Sequence, residues 1–353
     1  MSEPAPQLEM IGSRLFAPWL AEQKTSLAFT TYQAGKLFLI GIAEDGRLSV
    51  FERTFNRCMG LGASADRGLW MSSLYQLWRF TDFLEPGTTQ NGYDALYAPI
   101  TGHTTGDVDI HDIHDRPGES PIFVVTRFNC LATTSASGSF LPLWKPPFID
   151  RIAAEDRCHL NGLAMKDGAP AFVTCVGRSN IAEGWREHRR DGGIVIDVAS
   201  GETVTGGLSM PHSPRWRDGR LWLIQSGTGE FGYVDLETGR FEAICALQGF
   251  ARGVTFVGDY AVIGVSRPRE NRTFEGLALN ERLAEQGVSA SCHLAIVNLK
   301  SGDVEHRLTI EGVVEELYDV AALPGVIRPM ALGFRTDEIR FAIKPEVPLT
   351  ARS

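Results

Sequence analysis

A tight turn carrying a glycine returns six times along the chain, in IAEDGRLSV, FLEPGTT, TSASGSF, DVASGETV, DLETGRFEA and NLKSGDV, at Gly46, Gly87, Gly138, Gly201, Gly239 and Gly302. Glycine suits a tight hairpin because it reaches positive φ without a steric cost. A second element recurs as often: a short apolar strand led by one distinctive residue, in MGLGA, HDIHD, NGLAM, HSPRW, RGVTF and YDVAA. Its leaders are Met59, His111, Asn161, His212, Arg252 and Tyr318. The clearest whole unit, GRLWLIQSGTGEFGYVDLETGRFEAICAL, holds three strand-like runs. Four-stranded repeats of about 40 to 50 residues are the signature of a β-propeller.

Three units keep 27 or 28 residues from leader to turn glycine, while those led by Asn161 and Arg252 need 40 and 50. These two carry insertions, near 177–191 and 267–290. The sixth unit has only its first strand, EELYDVAAL, and residues 26–55 supply three strands with no first strand ahead of them. The expectation is an all-β, six-bladed propeller whose last blade joins three N-terminal strands to one C-terminal strand, leaving no open edge to aggregate. Residues 1–25 read as an N-terminal extension with a short helix in SRLFAPWLAEQ, 26–325 as the propeller and 326–353 as a tail. GTGEFG superficially resembles a phosphate loop but sits between two strands with no helix after it, so it reads as a blade loop.

The layout resembles the six-bladed propellers of the gluconolactonase and strictosidine-synthase type and the NHL-repeat type. DRCHLNGLAM, MPHSPRW, LWLIQSGTGE and GDYAVIGVSRPRE also look like an uncharacterised bacterial family of conserved hypothetical proteins. That second resemblance brings no activity with it. The first implies a metal-binding asparagine at Asn161, in NGLA, but this chain has histidines at channel positions where those enzymes tend to use acidic residues and amides. It therefore departs from a calcium-dependent lactonase.

The first strand of each blade lines the channel, and side chains two apart on a strand share a direction. One ring is then formed by the six leaders and a second by Arg57, Asp109, His159, Met210, Phe250 and Glu316. Only 8 of 353 residues are histidine, yet three of these twelve positions hold one. Imidazoles converging on an axis suit a catalytic divalent ion, zinc first and iron or copper as alternatives. The expected ligands are His111, His159 and His212; a metal-free polar pocket is the competing reading. His114 competes with His111 for the channel position, although it falls on the opposite side of the strand. Arg57 and Arg252 imply either an internal ion pair or a bound anion. Tyr318 and Glu316, with Arg252, are the expected catalytic groups. Arg57, Arg252, Asn161, Arg178, Arg267 and Trp185 are the expected substrate contacts.

Both insertions fall between the second and third strands, on the face where the leaders emerge, and so read as a lid. A homodimer contact through Trp144, Pro147, Phe148 and Trp185 is the alternative. The second insertion carries Arg267, Arg269 and a helix-like FEGLALNERLAEQ with Leu277, Leu279 and Leu283 on its apolar side.

The chain is acidic, with a formal net charge of −9 and no dense basic patch, which argues against nucleic acid. No run of 18 apolar residues and no secretory start are evident, so a cytoplasmic protein with no membrane partner is expected. Six scattered cysteines, with no Cys-x-x-Cys pair, suggest neither a zinc knuckle nor a disulfide framework. The functional expectation is a metal-dependent lyase or hydrolase acting on a small anionic metabolite or peptide terminus. An iron or copper oxygenase and a non-catalytic binding propeller are the alternatives.

Overall fold

The computed structural model describes residues 8–268 and 275–345. Six small sheets form a ring, a six-bladed β-propeller, with the four strands of each blade antiparallel. Blade I is the joined one. The C-terminal strand Val320–Pro324 is innermost and pairs antiparallel with Thr25–Thr31, which is followed outward by Lys36–Ile42 and Leu48–Thr54. Blades II to VI begin at the inner strands Leu61–Ala63, Ile110–His114, Leu160–Lys166, Pro211–Arg217 and Phe250–Val257. Two outer edges are covered: Pro329–Ala331 adds to blade II in parallel, and Glu9–Gly12 adds to blade VI. The helix Phe16–Glu22 buries Phe16, Trp19 and Leu20 in the cluster shared by blades I and VI.

Five of the six turn glycines adopt left-handed φ, between 67° and 82°, and Gly138 does not. Gly87 differs in setting, because it lies in the long loop joining Gln76–Asp82 to Ala95–Thr104 rather than in a tight hairpin. Five of the six cysteines are buried and Cys245 is half-buried, all of them as thiols.

A feature not read from the sequence ties each blade to the next. Around the ring, a buried hydroxyl near the end of the second strand donates to a main-chain carbonyl at the start of the following blade's first strand. Thr30 donates to Met59 O, Ser72 to Ile110 O (3.0 Å), Thr126 to Leu160 O (2.6 Å), Ser226 to Ala251 O (2.6 Å) and Ser266 to Leu317 O (3.1 Å). Between blades IV and V the link is relayed. Thr174 donates to Asn161 Oδ1 (2.7 Å), and Asn161 Nδ2 donates to Pro211 O (3.0 Å). The inner strand of a propeller blade has a free edge along the channel, and a buried main-chain group without a partner is costly. The hydroxyls satisfy one carbonyl per blade.

Further along the channel, carboxylates serve the amides in the same way. Asp112 accepts from Leu163 N (3.0 Å) and Asp319 from Leu61 N (2.9 Å), while Ser213 Oγ accepts from Gly253 N (2.9 Å). Arg215 grips Asp112 through two bonds, of 2.7 and 3.1 Å. Ser266 both donates to Leu317 O and accepts from Leu317 N (2.9 Å), so Ser266→Ala strands two buried groups. It is expected to cost about 1–3 kcal/mol in urea unfolding; unchanged stability would mean that the clasp adds nothing.

Candidate functional site at the channel mouth

Four residues of the second ring, Arg57, Asp109, His159 and Met210, share an unusual backbone conformation, with φ of 53°, 62°, 50° and 48°. Non-glycine residues rarely adopt left-handed φ, and each such case costs of the order of 1 kcal/mol or more. Simple strand alternation therefore does not bring the second ring to the mouth. The chain kinks there, at equivalent points in four blades, just before the inner strand begins.

The three histidines meet. The His111 and His159 rings lie edge to face with centroids 5.0 Å apart, and His159 and His212 are 6.5 Å apart. Tyr318 packs 5.4 Å from His111 and stacks on Tyr32, and the Arg252 guanidinium lies 5.5 Å from the Tyr318 ring centre. Glu316 sits 4.0 Å from Arg252. His114 is elsewhere: its Nε2 is 3.3 Å from Asp112, and it lines a separate cavity of about 400 Å³ with Arg215, Met165 and Val254.

Each imidazole is held by its Nδ1. His111 Nδ1 meets Asp109 O (3.1 Å) and Thr126 Oγ1 (2.8 Å), and His212 Nδ1 meets Met210 O (2.9 Å) and Ser226 Oγ (3.2 Å). The two hydroxyls are clasp residues whose own protons go to carbonyls, so they accept from the rings. A carbonyl can only accept, so Nδ1 carries the proton on both rings and Nε2 carries the lone pair. His159 Nδ1 donates instead to the carboxylate Oδ2 of Asp156 (2.9 Å), which also accepts from Trp185 Nε1 (2.9 Å).

The insertions lie over this cluster. Trp185 is on the 3₁₀ turn Gly184–His188 of the blade IV insertion, with its ring 4.2 Å from His159. It joins Met210, Phe250 and the buried Leu277, Leu279 and Leu283 in one apolar cluster; the latter two leucines belong to the helix Ala278–Glu285 of the blade VI insertion. Arg190 ties the two insertions through Glu281.

Other expected contacts are not in the cluster. Arg178 is exposed and stacks on Phe148, 5.4 Å from the ring centre, and Arg267 pairs with Glu315 at 3.6 Å. Arg57 is near the mouth but is held by Asp107, with Asp109 at 3.8 Å and the Tyr32 ring centre at 5.4 Å. Burial works against its charge, and the bond to Asp107 outweighs this, raising its pKa. Arg269 lies outside the described residues.

Residues 14–332 match the model of a family described as a domain of unknown function, DUF4915. The chain belongs to that family. No curated protein matches this DUF4915 chain. Among solved structures it is similar to a chain of a nidogen/laminin complex, with a TM-score of 0.53 and 10% identity over 85% of this chain and 99% of that one. It is also similar to a protein of unknown function from Bacteroides caccae, at 0.51 and 12% over 85% and 98%. A virginiamycin B lyase from Staphylococcus aureus, at 0.42 and 13% over 86% and 99%, is too slight a likeness to bear on function. The first two likenesses concern the fold alone.

The three rings of the DUF4915 chain do not fit one metal ion as they stand. With a Zn–N bond of about 2.1 Å and a ring nitrogen about 1.1 Å from its centroid, two imidazoles on one ion have centroids about 5.2 Å apart in tetrahedral geometry and at most about 6.4 Å apart. His111 and His159 match the tetrahedral spacing, whereas His159 and His212, at 6.5 Å, are well beyond it. The lone pair of His212 Nε2 is also taken, because Asn161 Nδ2 lies 3.3 Å away and its orientation is fixed by Pro211 O and Thr174. Among the described residues, no three His, Cys, Asp or Glu side chains are placed to hold an ion. Chelator treatment is accordingly expected to leave the melting temperature unchanged, and a fall on adding EDTA would show that an ion is part of the native site.

Burial, with further opposition from His159 and Arg252, pushes His111 down to about 4, although Asp109 pulls the other way. Burial and then Arg252 hold His212 well below the usual range, and burial pushes His293 down to about 3. The unfolded chain takes up these protons below about pH 6.5 and the folded one does not, so stability falls as the pH drops from about 6.5 toward 4. Asp319, raised to about 7 by burial and Asp112, works in the opposite sense over much of this window but is one group against three. His111→Gln should flatten the acid side of the stability–pH curve by up to about 3 kcal/mol. A curve as steep as that of the parent would count against a buried neutral His111.

Proposed function

We propose that the channel mouth is the active site of an enzyme of the lyase or hydrolase class that moves protons on a small anionic substrate. The observation that carries this reading is the shared attachment of the three rings. With every Nδ1 bonded to the wall, the lone pairs fall on Nε2, and those of His111 and His159 are left for a bound molecule while that of His212 accepts from Asn161 Nδ2. Neutral imidazoles with available lone pairs are suited to accepting a proton, and positioned acid–base groups contribute about 10²- to 10⁴-fold to rate.

Arg252 supports an anionic substrate. It is a largely buried guanidinium beside Tyr318, with Glu316 at 4.0 Å, and burial lowers its pKa. A carboxylate in this space would meet a cation that little water shields, where charge-assisted bonds are strong. The insertions support catalysis over open docking, because Trp185 covers the His159 ring, is backed by the leucines of the helix Ala278–Glu285, and would restrict water around a bound molecule. No step is assigned to a metal ion.

The test is a panel of small carboxylates, carboxylic esters and lactones incubated with the full chain at pH 7.5. Proton NMR would follow both binding, through the histidine ring signals, and conversion. At least one anionic compound is expected to bind and be consumed. Arg252→Met should weaken its binding about 10- to 100-fold, and His159→Ala should stop turnover while binding persists. Binding without conversion across the panel would make this a ligand-binding propeller. No response at the three rings would remove the site.

A further inference from the structure

The three histidines are not equivalent, and the difference lies behind them. His111 and His212 each give the Nδ1 proton to a neutral carbonyl and a hydroxyl, whereas His159 gives it to a carboxylate. A protonated imidazole at His159 would face its counter-charge at 2.9 Å. At His212 the added charge would have only dipoles behind it, at His111 the carboxylate of Asp109 lies 3.8 Å away, beyond hydrogen-bonding distance, and Arg252 raises the cost at both. We propose that His159 is the proton-accepting residue of the mouth, that Asp156 is its positioning residue, and that Trp185 completes the pair from the lid. This assignment rests on the mouth being catalytic, as argued above.

Asp156 is well placed for the role. Its loop is pinned to blade III by Glu155 N and Asp156 N, both 3.0 Å from Arg127 O, and by Cys158 N, 3.0 Å from Asn129 Oδ1. The next residue, Arg157, is nearly fully buried and is clamped by Asp150, Glu155 and Asn180. The carboxylate thus stands on a rigid support, and the imidazole is held at both Nδ1 and its face, since Trp185 covers the ring. Burial tends to keep Asp156 protonated, but His159, His111 and Trp185 outweigh it and hold the carboxyl below its ordinary range.

The proton balance is simple. In an elimination, Nε2 of His159 takes the proton from the substrate, the electron pair left behind forms the new double bond, and the leaving group departs. In a hydrolysis, Nε2 takes a proton from water as the water oxygen bonds to the acyl carbon of the substrate, and the bond from that carbon to the leaving group then breaks, the electron pair going with the leaving group. In either case the imidazolium keeps its Nδ1–H on Asp156 and returns the Nε2 proton to the leaving group or to solvent.

The tautomer of His159 can be read without a substrate, by ¹⁵N NMR of histidine-labelled full-length protein. The parent should show His111, His159 and His212 all protonated at Nδ1. Asp156→Ala should move His159, and only His159, toward the Nε2–H form. Asp156→Asn should keep the Nδ1–H form, because the indole N–H of Trp185 can only donate and so keeps the amide oxygen facing both donors. Trp185→Phe should also keep it, which separates loss of the carboxylate from disturbance of the lid. An unchanged His159 tautomer in Asp156→Ala would overturn the positioning role, whatever the outcome with substrates.

Turnover of any compound found in the panel should fall at least about 100-fold in Asp156→Asn, with KM within about threefold. Full turnover in that variant would overturn the assignment of His159 as the base. A tautomer shift as expected, with no compound acting at the mouth, would leave the pair standing and remove the catalytic reading instead.

Discussion

The inner strand of a propeller blade has a neighbour on one side only, and its other edge lies along the channel with main-chain groups that need partners. In this protein the need is met blade by blade by Thr30, Ser72, Thr126, Ser226 and Ser266, and by Thr174 acting through Asn161. Each bond is individually modest, of the order of 1 kcal/mol. Its position matters more than its strength, because it joins the end of one blade's second strand to the start of the next blade's first strand. The ring of blades is thereby closed at the end where the chemistry-bearing residues emerge.

The same hydroxyls dictate what the histidines can do. Thr126 and Ser226 spend their protons on carbonyls and are left as acceptors, which places the His111 and His212 protons on Nδ1 and the lone pairs on Nε2. Asn161 holds the corresponding place in blade IV and meets the same two needs with an amide, one end on Thr174 and the other on Pro211 O. A residue that the resemblance to lactonase-type propellers marks for metal binding is here part of the scaffold, and its amide sits against His212 Nε2. Two of the site's three tautomers, those of His111 and His212, are thus a by-product of how the blades are fastened.

Much of this was legible in the sequence because propeller repeats leave a periodic trace. The turn glycines and leaders located six blades, the closing strand and both insertions, and of the helix-like FEGLALNERLAEQ the stretch Ala278–Glu285 is helical, with Leu279 and Leu283 buried on it and Leu277 buried just ahead of it. Blade II strained the pattern: the hydroxyl bond there reaches Met59 O itself, where the other blades use the residue before the leader. Arg178 and Arg267 stand out in the sequence by charge and loop position, neither of which says which way a long side chain leaves a loop. Asp156 was missed because it precedes the strand and belongs to no ring, and only the left-handed kinks at Asp156 and His159 bring the two together. The six hydroxyls were in plain view, one near the end of each second strand, but a Ser or Thr there reads as ordinary strand or turn chemistry until the next blade is placed beside it.

The joined blade has a consequence for how the protein is made. Leu27 and Phe29, fully buried in the finished molecule, belong to a strand whose inner neighbour spans Val320–Pro324. At ribosomal speeds of about 5–20 residues per second, that neighbour emerges roughly 15 to 60 seconds after the strand it must cover. For that interval the nascent chain carries a hydrophobic sheet with one side of its hydrogen bonding open, a natural place for a chaperone to hold on. Premature termination anywhere before Val320 would leave that edge without its partner strand.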